Sequence, residues 1–190
     1  DIAEGIGSDS RIGSRFLRAG PAYGGSCFPK DTKALIETSK KFKIDLSLVR
    51  NVVRSNDNRS NLIAKKIFKI LKNPNDKKVG FLGVTFKANT DDMRDSSCLS
   101  IIPQILKRNY KVSYYDPTGV KQVFSKNKKI KFYGNSKELI NNSDLIVIHT
   151  EWAEFKSIDF SKFKKKGKLL IFDLRNLYHP RDFLNKKIKY

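Results

Sequence analysis

The sequence predicts an α/β protein in which a helical segment leads into a doubly wound parallel sheet. Three observations predict it. Apolar residues between Leu46 and Lys72 recur at spacings of three and four, the repeat of an amphipathic helix. From Val79 onward, short apolar runs alternate with helix-forming stretches. Between the two regimes lies a turn-rich break, Asn73-Pro-Asn-Asp-Lys77. Strands separated by helices imply right-handed crossovers and therefore a parallel sheet. The expected division is 1–72 for the helical part, 73–77 for the linker and 78–190 for the sheet domain.

Taken in order, Asp1-Ile-Ala-Glu-Gly-Ile-Gly-Ser reads as a helix running out at glycines. The span Gly20-Pro-Ala-Tyr-Gly-Gly-Ser-Cys-Phe-Pro-Lys-Asp31 holds three glycines and two prolines, so it is a loop whose backbone can approach a ligand closely. A helix is expected from Asp31 to about Phe42, and a longer one from Leu46 to about Lys72. The polar stretch Ser55-Asn-Asp-Asn-Arg-Ser60 interrupts the long helix's apolar stripe, so either the helix bends there or those side chains face a polar partner. This helix serves equally well as an intrachain core element or as a dimer face. Strands are expected at Val79–Thr85, Lys111–Tyr115, Ile130–Phe132, Asp144–His149 and Lys168–Asp173, with a further strand in Lys-Ile-Lys-Tyr190. Helices are expected at Cys98–Lys107, near Val120–Phe124 and around Ser136–Ile140. Ligands of such sheets bind beyond the carboxyl ends of the strands, which here carry Phe86, Lys87, Asp116, Thr150-Glu-Trp152, Asp173 and Arg175.

Composition narrows the function classes. The 190 residues are 39% hydrophobic and 11% aromatic, which is globular rather than disordered. No apolar run nears the roughly 20 residues needed to span a bilayer, and the N-terminus has no signal-peptide pattern, so a cytoplasmic protein without membrane partners is expected. The chain begins at Asp1 and ends on a strand-like segment, and reads as part of something longer. Lys and Arg number 39 against 19 Asp and Glu, a formal charge of +20. The basic residues are spread as pairs and triplets, such as Lys164-Lys165-Lys166, with no nucleic-acid-binding motif among them. They read as a solvated surface, and no nucleic-acid partner is expected.

Cys27 is the residue that most invites chemistry. A thiol just ahead of a helix, with Lys30 close by, sits where positive potential favours thiolate. His149 and His179 stand far from it in sequence, so a Cys–His hydrolase pair is not expected, and two cysteines with two histidines show no metal-ligand spacing. Cys27 and Cys98 read as reduced. What remains is a thiol suited to attack an electrophilic carbon such as an aldehyde. The strand carrying Gly80 and Gly83 lacks the third glycine of a dinucleotide fingerprint and is weak evidence for NAD binding there.

Six ordered segments carry a family resemblance: Arg11-Ile-Gly, Phe16-Leu-Arg-Ala-Gly, Gly24-Gly-Ser-Cys-Phe-Pro-Lys-Asp31, Phe86-Lys-Ala-Asn-Thr-Asp-Asp-Met-Arg94, Thr150-Glu-Trp152 and Asp173-Leu-Arg-Asn176. Together they resemble the UDP-glucose 6-dehydrogenase branch of the nucleotide-sugar dehydrogenases. The resemblance implies that 1–72 is the latter part of a central helical dimerisation domain and that 78–190 is a Rossmann-like UDP-sugar-binding domain. It implies an NAD-dependent, four-electron oxidation of UDP-glucose to UDP-glucuronate, with Cys27 forming a thiohemiacetal and then a thioester. Asp31 would help position or deprotonate the hydrolytic water. Arg18, Ala19, Gly20, Pro21, Ala22, Tyr23 and Gly24 would form the loop around the substrate, and Arg11 would reach the substrate of a neighbouring subunit. Phe86, Lys87 and Arg175 would contact the substrate, while Cys27, Lys30 and Arg94 would touch NAD, whose main site lies in an N-terminal domain that this chain lacks. The resemblance further implies a homodimer, no metal, and no activity for these residues alone. A dehydrogenase acting on UDP-N-acetylhexosamine or GDP-mannose, or a non-catalytic nucleotide-sugar-binding module, stays open as an alternative.

Overall fold

A computed structural model describes residues 2–14, 17–73, 77–163, 168–184 and 187–190. Phe16 of the second motif, most of the expected linker and the Lys164-Lys165-Lys166 triplet lie outside them. The helical part comprises α1 (Ile2–Gly7), α2 (Phe28–Lys41) and α3 (Ser47–Leu71). The alternating part runs β1 (Lys78–Leu82), α4 (Cys98–Lys107), β2 (Lys111–Tyr115), α5 (Gln122–Ser125), β3 (Ile130–Phe132), α6 (Ser136–Asn141), β4 (Leu145–Ile148), β5 (Leu169–Asp173) and β6 (Ile188–Lys189). Short 3₁₀ turns occupy Ala153–Ser157, Phe160–Lys162 and Pro180–Phe183.

Among the described residues the strands form one sheet in the order β3-β2-β1-β4-β5-β6, parallel throughout. This is the doubly wound arrangement the sequence predicts, and the order reverses between β1 and β4, where such sheets open a crevice for ligands. The sheet is covered on both sides. One core gathers Phe81, Ile101, Ile105, Val112 and Tyr114 under α4, and the C-terminal half of α3 adds Ile63, Ile67 and Leu71 to it. The other gathers Leu82, Leu139, Ile146, Phe155 and Phe160. Ile63, Ile67 and Leu71 are 6% exposed or less, worth about 1.5–3 kcal/mol each in apolar burial. They fasten the helical part to the sheet. The N-terminal half of α3 is different: Leu48 and Val52 are exposed.

Two element ends lie three residues from the sequence expectation, and the open question of the long helix is decided. Helix α2 begins at Phe28 rather than Asp31, because a proline in a first turn has no hydrogen bond to lose and Pro29 fits there. The first strand stops at Leu82 rather than Thr85. The chain turns at Gly83, and the amides of Val84 and Thr85 donate to the Asp116 carboxylate instead of a neighbouring strand. Helix α3 is continuous through Ser55–Ser60, so its polar stretch answers to a partner and not to a bend. No described helix is long and apolar enough to cross a membrane.

Candidate active site

The partner of α3's polar stretch is the glycine-rich loop. Asn56 and Arg59 lie three apart on one helix face and both reach across to it. Arg59 Nε donates to Pro21 O at 2.9 Å and Nη2 to Gly20 O at 3.0 Å. Asn56 closes a two-bond clamp on Tyr23, accepting from its amide at 2.9 Å and donating to its carbonyl at 3.3 Å. A loop rich in glycine and proline cannot pair its backbone internally, and these two side chains satisfy it. Sequence reasoning missed both residues as site residues. Their one visible signal was the interrupted apolar stripe.

The loop's other side meets the segment after β1. Gly25 N donates to Arg94 O at 2.9 Å. A Cβ on Gly24 would lie 2.4 Å from Asp95 O, and one on Gly25, whose φ is +86°, would lie 2.8 Å from the Phe86 ring. Only glycine permits this approach at either position. Gly20 in turn sits against the Arg175 guanidinium, with Nη1 2.7 Å from where its Cβ would be. Behind the loop, a cavity of about 340 Å³ is lined by Tyr23, Pro29, Asn56, Asp57 and the start of α4.

Arg175 is anchored from three directions. Its Nε donates to His149 O and its Nη2 to Phe86 O, both at 2.9 Å. Glu151 Oε2 lies 2.7 Å from the same Nε yet accepts no hydrogen bond, because that N–H is aimed at the carbonyl. It therefore balances the guanidinium as a charge, without directing it. Burial pulls the Arg175 pKa down and Glu151 opposes that pull. The turn is shaped by Asp173, which accepts from the amides of Arg175, Leu177 and Tyr178 and from the Tyr190 hydroxyl.

Cys27 is exposed and occupies the N-cap of α2. The positive end of a 14-residue helix points at it. Lys30 and Arg94, from two different segments, both lie within electrostatic reach of the sulfur. Each is held by an aspartate: Lys30 by Asp31 at 2.8 Å, and Arg94 by Asp92 through Nε and Nη2 at 2.8–3.0 Å. These contacts raise the Lys30 and Arg94 pKa values, first through the hydrogen bonds to Asp31 and Asp92. Asp31 N donates to Cys27 O at 2.8 Å, so thiol and carboxylate stand one helical turn apart. Cys98, by contrast, is fully buried at the start of α4, and burial pushes its thiol pKa well up.

The crevice between β1 and β4 is occupied by the protein's own polar groups. In dinucleotide folds an acidic residue beyond the first helix reads a ribose. Asp116, at the end of β2, instead accepts from Val84 N, Thr85 N, Thr118 N and the Thr118 hydroxyl, and pairs with buried Lys121 at 3.3 Å. Thr150 Oγ1 donates to Thr85 O, so it takes a hydrogen from His149 Nδ1 at 3.1 Å. His149 Nε2 then accepts from Ser97 Oγ at 2.7 Å. Burial, and secondarily Arg175, lower the His149 pKa to about 3, so the ring is neutral.

Family comparisons give this geometry a context. The UDP-binding domain model of the UDP-glucose/GDP-mannose dehydrogenase family matches residues 80–180, just over half of the chain, and the central-domain model of the same family matches residues 1–58. The chain belongs to the UDP-glucose/GDP-mannose dehydrogenase family. It is 39% identical to a UDP-glucose 6-dehydrogenase of Rhizobium meliloti and 34% identical to one of Bacillus subtilis, all of this chain aligning in both. It spans 44% and 43% of those relatives' lengths. Among solved structures, a UDP-glucose dehydrogenase from Pyrobaculum islandicum superposes with a TM-score of 0.83 at 27% identity, over 95% of this chain and 41% of that one. An NDP-N-acetyl-D-galactosaminuronic acid dehydrogenase from Methanosarcina mazei superposes with a TM-score of 0.79 at 25% identity, over 99% and 42%.

Set against the family expectation, the fold brings Gly20 through Gly24, Cys27, Lys30, Phe86, Arg94 and Arg175 into one neighbourhood. Lys87 is exposed at its edge, with Nζ 5.4 Å from the Phe86 ring centre. Arg18 and Ala19 are exposed where the loop begins. Arg11 is not gathered in: it is chelated by Asp9 within its own turn, at 2.5 and 3.0 Å, and is 87% exposed.

Proposed function

We propose that this chain supplies the thiol and the nucleotide-sugar cradle of a cytoplasmic, NAD-dependent dehydrogenase that oxidises UDP-glucose to UDP-glucuronate. The observation that carries the reading is the packing of the Gly20–Cys27 loop against Phe86, Arg94 and Arg175, which joins an exposed thiol to a cationic, aromatic wall. The name of the 39%-identical relative supports glucose as the sugar. A guanidinium fork and an aromatic ring suit a uridine diphosphate, the first through paired oxygens and the second through stacking. The boundary between the two domains belongs at 73–77. Exposed Leu48 and Val52 on α3, with Phe42 and Ile44 before it, support a homodimer formed through the helical part.

The chain's own chemistry is covalent. Cys27 Sγ attacks the C6 carbon of a sugar aldehyde, a C–S bond forms as the carbonyl π pair moves to oxygen, and the carbon becomes tetrahedral. That carbon now holds a hydrogen able to leave with its electron pair. NAD, when bound, supplies the acceptor for both oxidations. The acyl group then rests on Cys27 as a thioester until water adds, the C–S bond breaks and the acid departs. Asp31, one turn from the sulfur, holds that water and takes its proton. Lys30 and Arg94 fit a diphosphate cofactor's edge beside the thiol. The crevice at Asp116 does not fit its ribose, since that carboxylate is already saturated. The rest of the NAD site is therefore assigned to a domain outside these residues, and without it the chain turns nothing over.

The test uses the C6 aldehyde of UDP-glucose. Incubated with the protein before iodoacetamide, it is expected to protect Cys27 from alkylation, and Arg175→Ala is expected to abolish most of the protection. Unchanged alkylation would refute the covalent role. Equal protection by a glucose dialdehyde lacking UDP would refute the nucleotide cradle.

A further inference from the structure

The cavity behind the thiol loop takes no part in the thiol chemistry. It lies where α2, the middle of α3 and the start of α4 meet the loop, and its volume of about 340 Å³ is at the lower end of small-molecule sites. Two of the hydroxyls around it belong to buried residues, Ser60 at 7% exposure and Ser97 at 8%. Ser97 spends its proton on His149 Nε2 at 2.7 Å, which leaves its oxygen free to accept. Ser60 Oγ has no hydrogen-bond partner among the described residues. A buried serine inside a helix ordinarily turns its hydroxyl back onto a carbonyl of the preceding turn, as Ser39 does to Ile36 O at 2.8 Å in α2. Ser60 does not, and a buried hydroxyl left unpaired costs free energy unless something in the cavity meets it.

The rest of the lining narrows what that is. Asp57 and Asp95 supply two carboxylates against one cation, Lys33, so the charge balance disfavours an anion. Neither carboxylate forms an ion pair with a described residue. No group of three metal-ligating side chains forms among the described residues, which disfavours a divalent cation. Asn56 uses its oxygen and one amide hydrogen on Tyr23 and keeps its second hydrogen. Pro29 and Leu99 add carbon surface. The set is therefore one of hydroxyl, amide and carboxylate groups, donors and acceptors interspersed, beside carbon. Vicinal hydroxyls on a saturated ring match it, since each both donates and accepts and one carboxylate can take two of them together.

We propose that this cavity binds a neutral ring polyol of monosaccharide size, its hydroxyls on Asp57, Ser60 and Ser97 and its C–H face against Pro29 and Leu99. Tyr23 also lines the cavity and is the loop residue that Asn56 clamps, so a bound ring steadies the thiol loop from behind. Cys27, Phe86, Arg94 and Arg175 do not line it, so the site does not depend on the dehydrogenase reading.

The experiment titrates the protein with D-glucose and with myo-inositol by saturation-transfer NMR, with putrescine and inorganic phosphate as charged comparisons. Asp57→Asn and Ser60→Val alter the cavity. Asp31→Asn, beside the thiol, is the charge-matched control that a ring held in the substrate cradle would feel instead. Saturable binding of at least one ring polyol at millimolar concentration is expected, weakened about fivefold or more by either cavity variant and less than about twofold by Asp31→Asn. Bound polyol is expected to slow exchange of the Tyr23 amide about threefold or more. Circular dichroism reports whether Ser60→Val folds, and Asp57, which is exposed, carries the test if it does not. Absence of saturable polyol binding, tighter binding of putrescine or phosphate, a loss in Asp31→Asn as large as that in Asp57→Asn, or an unchanged Tyr23 exchange rate overturns the proposal.

Discussion

Replacing Gly24 by alanine tests whether the loop and the sheet domain form one site. A Cβ there would be 2.4 Å from Asp95 O and 3.0 Å from Asp95 C, both backbone atoms with no rotamer to escape into. Overpacking of this kind costs about 1–3 kcal/mol. Separating the two segments also stretches the Gly25 N to Arg94 O bond, worth about 1 kcal/mol. The opposing term is the smaller entropy of an unfolded chain carrying alanine, about 0.4–1 kcal/mol in favour of the variant. Sterics win, leaving roughly 1.5–3 kcal/mol of destabilisation. Either the whole protein loses about 3–10 °C in melting temperature, or the loop alone opens. Hydrogen exchange at the Gly25 amide and the alkylation rate of Cys27 separate the two cases, since local opening raises both without moving the melt. Gly134→Ala is the control, because no atom lies within 4 Å of its Cβ position. If Gly24→Ala matches that control in melt, exchange and alkylation alike, the close approach described here is wrong.

Arg59→Ala removes two charge-assisted bonds to the carbonyls of Gly20 and Pro21 while leaving the apolar seam of α3 intact. It is expected to speed amide exchange across 20–25 about tenfold, with a melting temperature within a few degrees of wild type; Arg59→Lys should rescue only part of the protection, because a point charge cannot span two carbonyls. His149 makes stability depend on pH. Its folded pKa is depressed to about 3 from 6.5, so below pH 6.5 the unfolded chain takes up a proton that the folded chain refuses. Stability therefore falls as pH falls through that window, by about 1.4 kcal/mol per unit once well below 6.5. Between pH 7 and pH 5, urea titrations of wild type should lose about 2 kcal/mol more than those of His149→Asn, and an equal loss in both would remove the buried neutral ring from the account.

Much of the fold was legible because its causes are local. Helical periodicity, turn residues and short apolar runs placed α3, α4, β2 and β3 within a residue or two, and the alternation of strands with helices dictated a parallel sheet. Cys27 was legible too, since a thiol ringed by glycine and proline has no packing role. Three things needed the folded chain. The start of α2 depended on Pro29 finding a first turn where its missing amide costs nothing. Asp116 and His149, at strand ends where ligands usually bind, proved to spend their hydrogen bonds on the loops around them, which no pattern in the sequence reveals. And Asn56 with Arg59 read as a flaw in an apolar stripe, when they are the clamp that holds the thiol loop. The sequence by itself determined the elements and the exposed loop thiol, because both follow from neighbouring residues. Which side chains converge on that group, and which are consumed in holding the backbone, depended on contacts between residues more than thirty positions apart, and only the tertiary structure decided them.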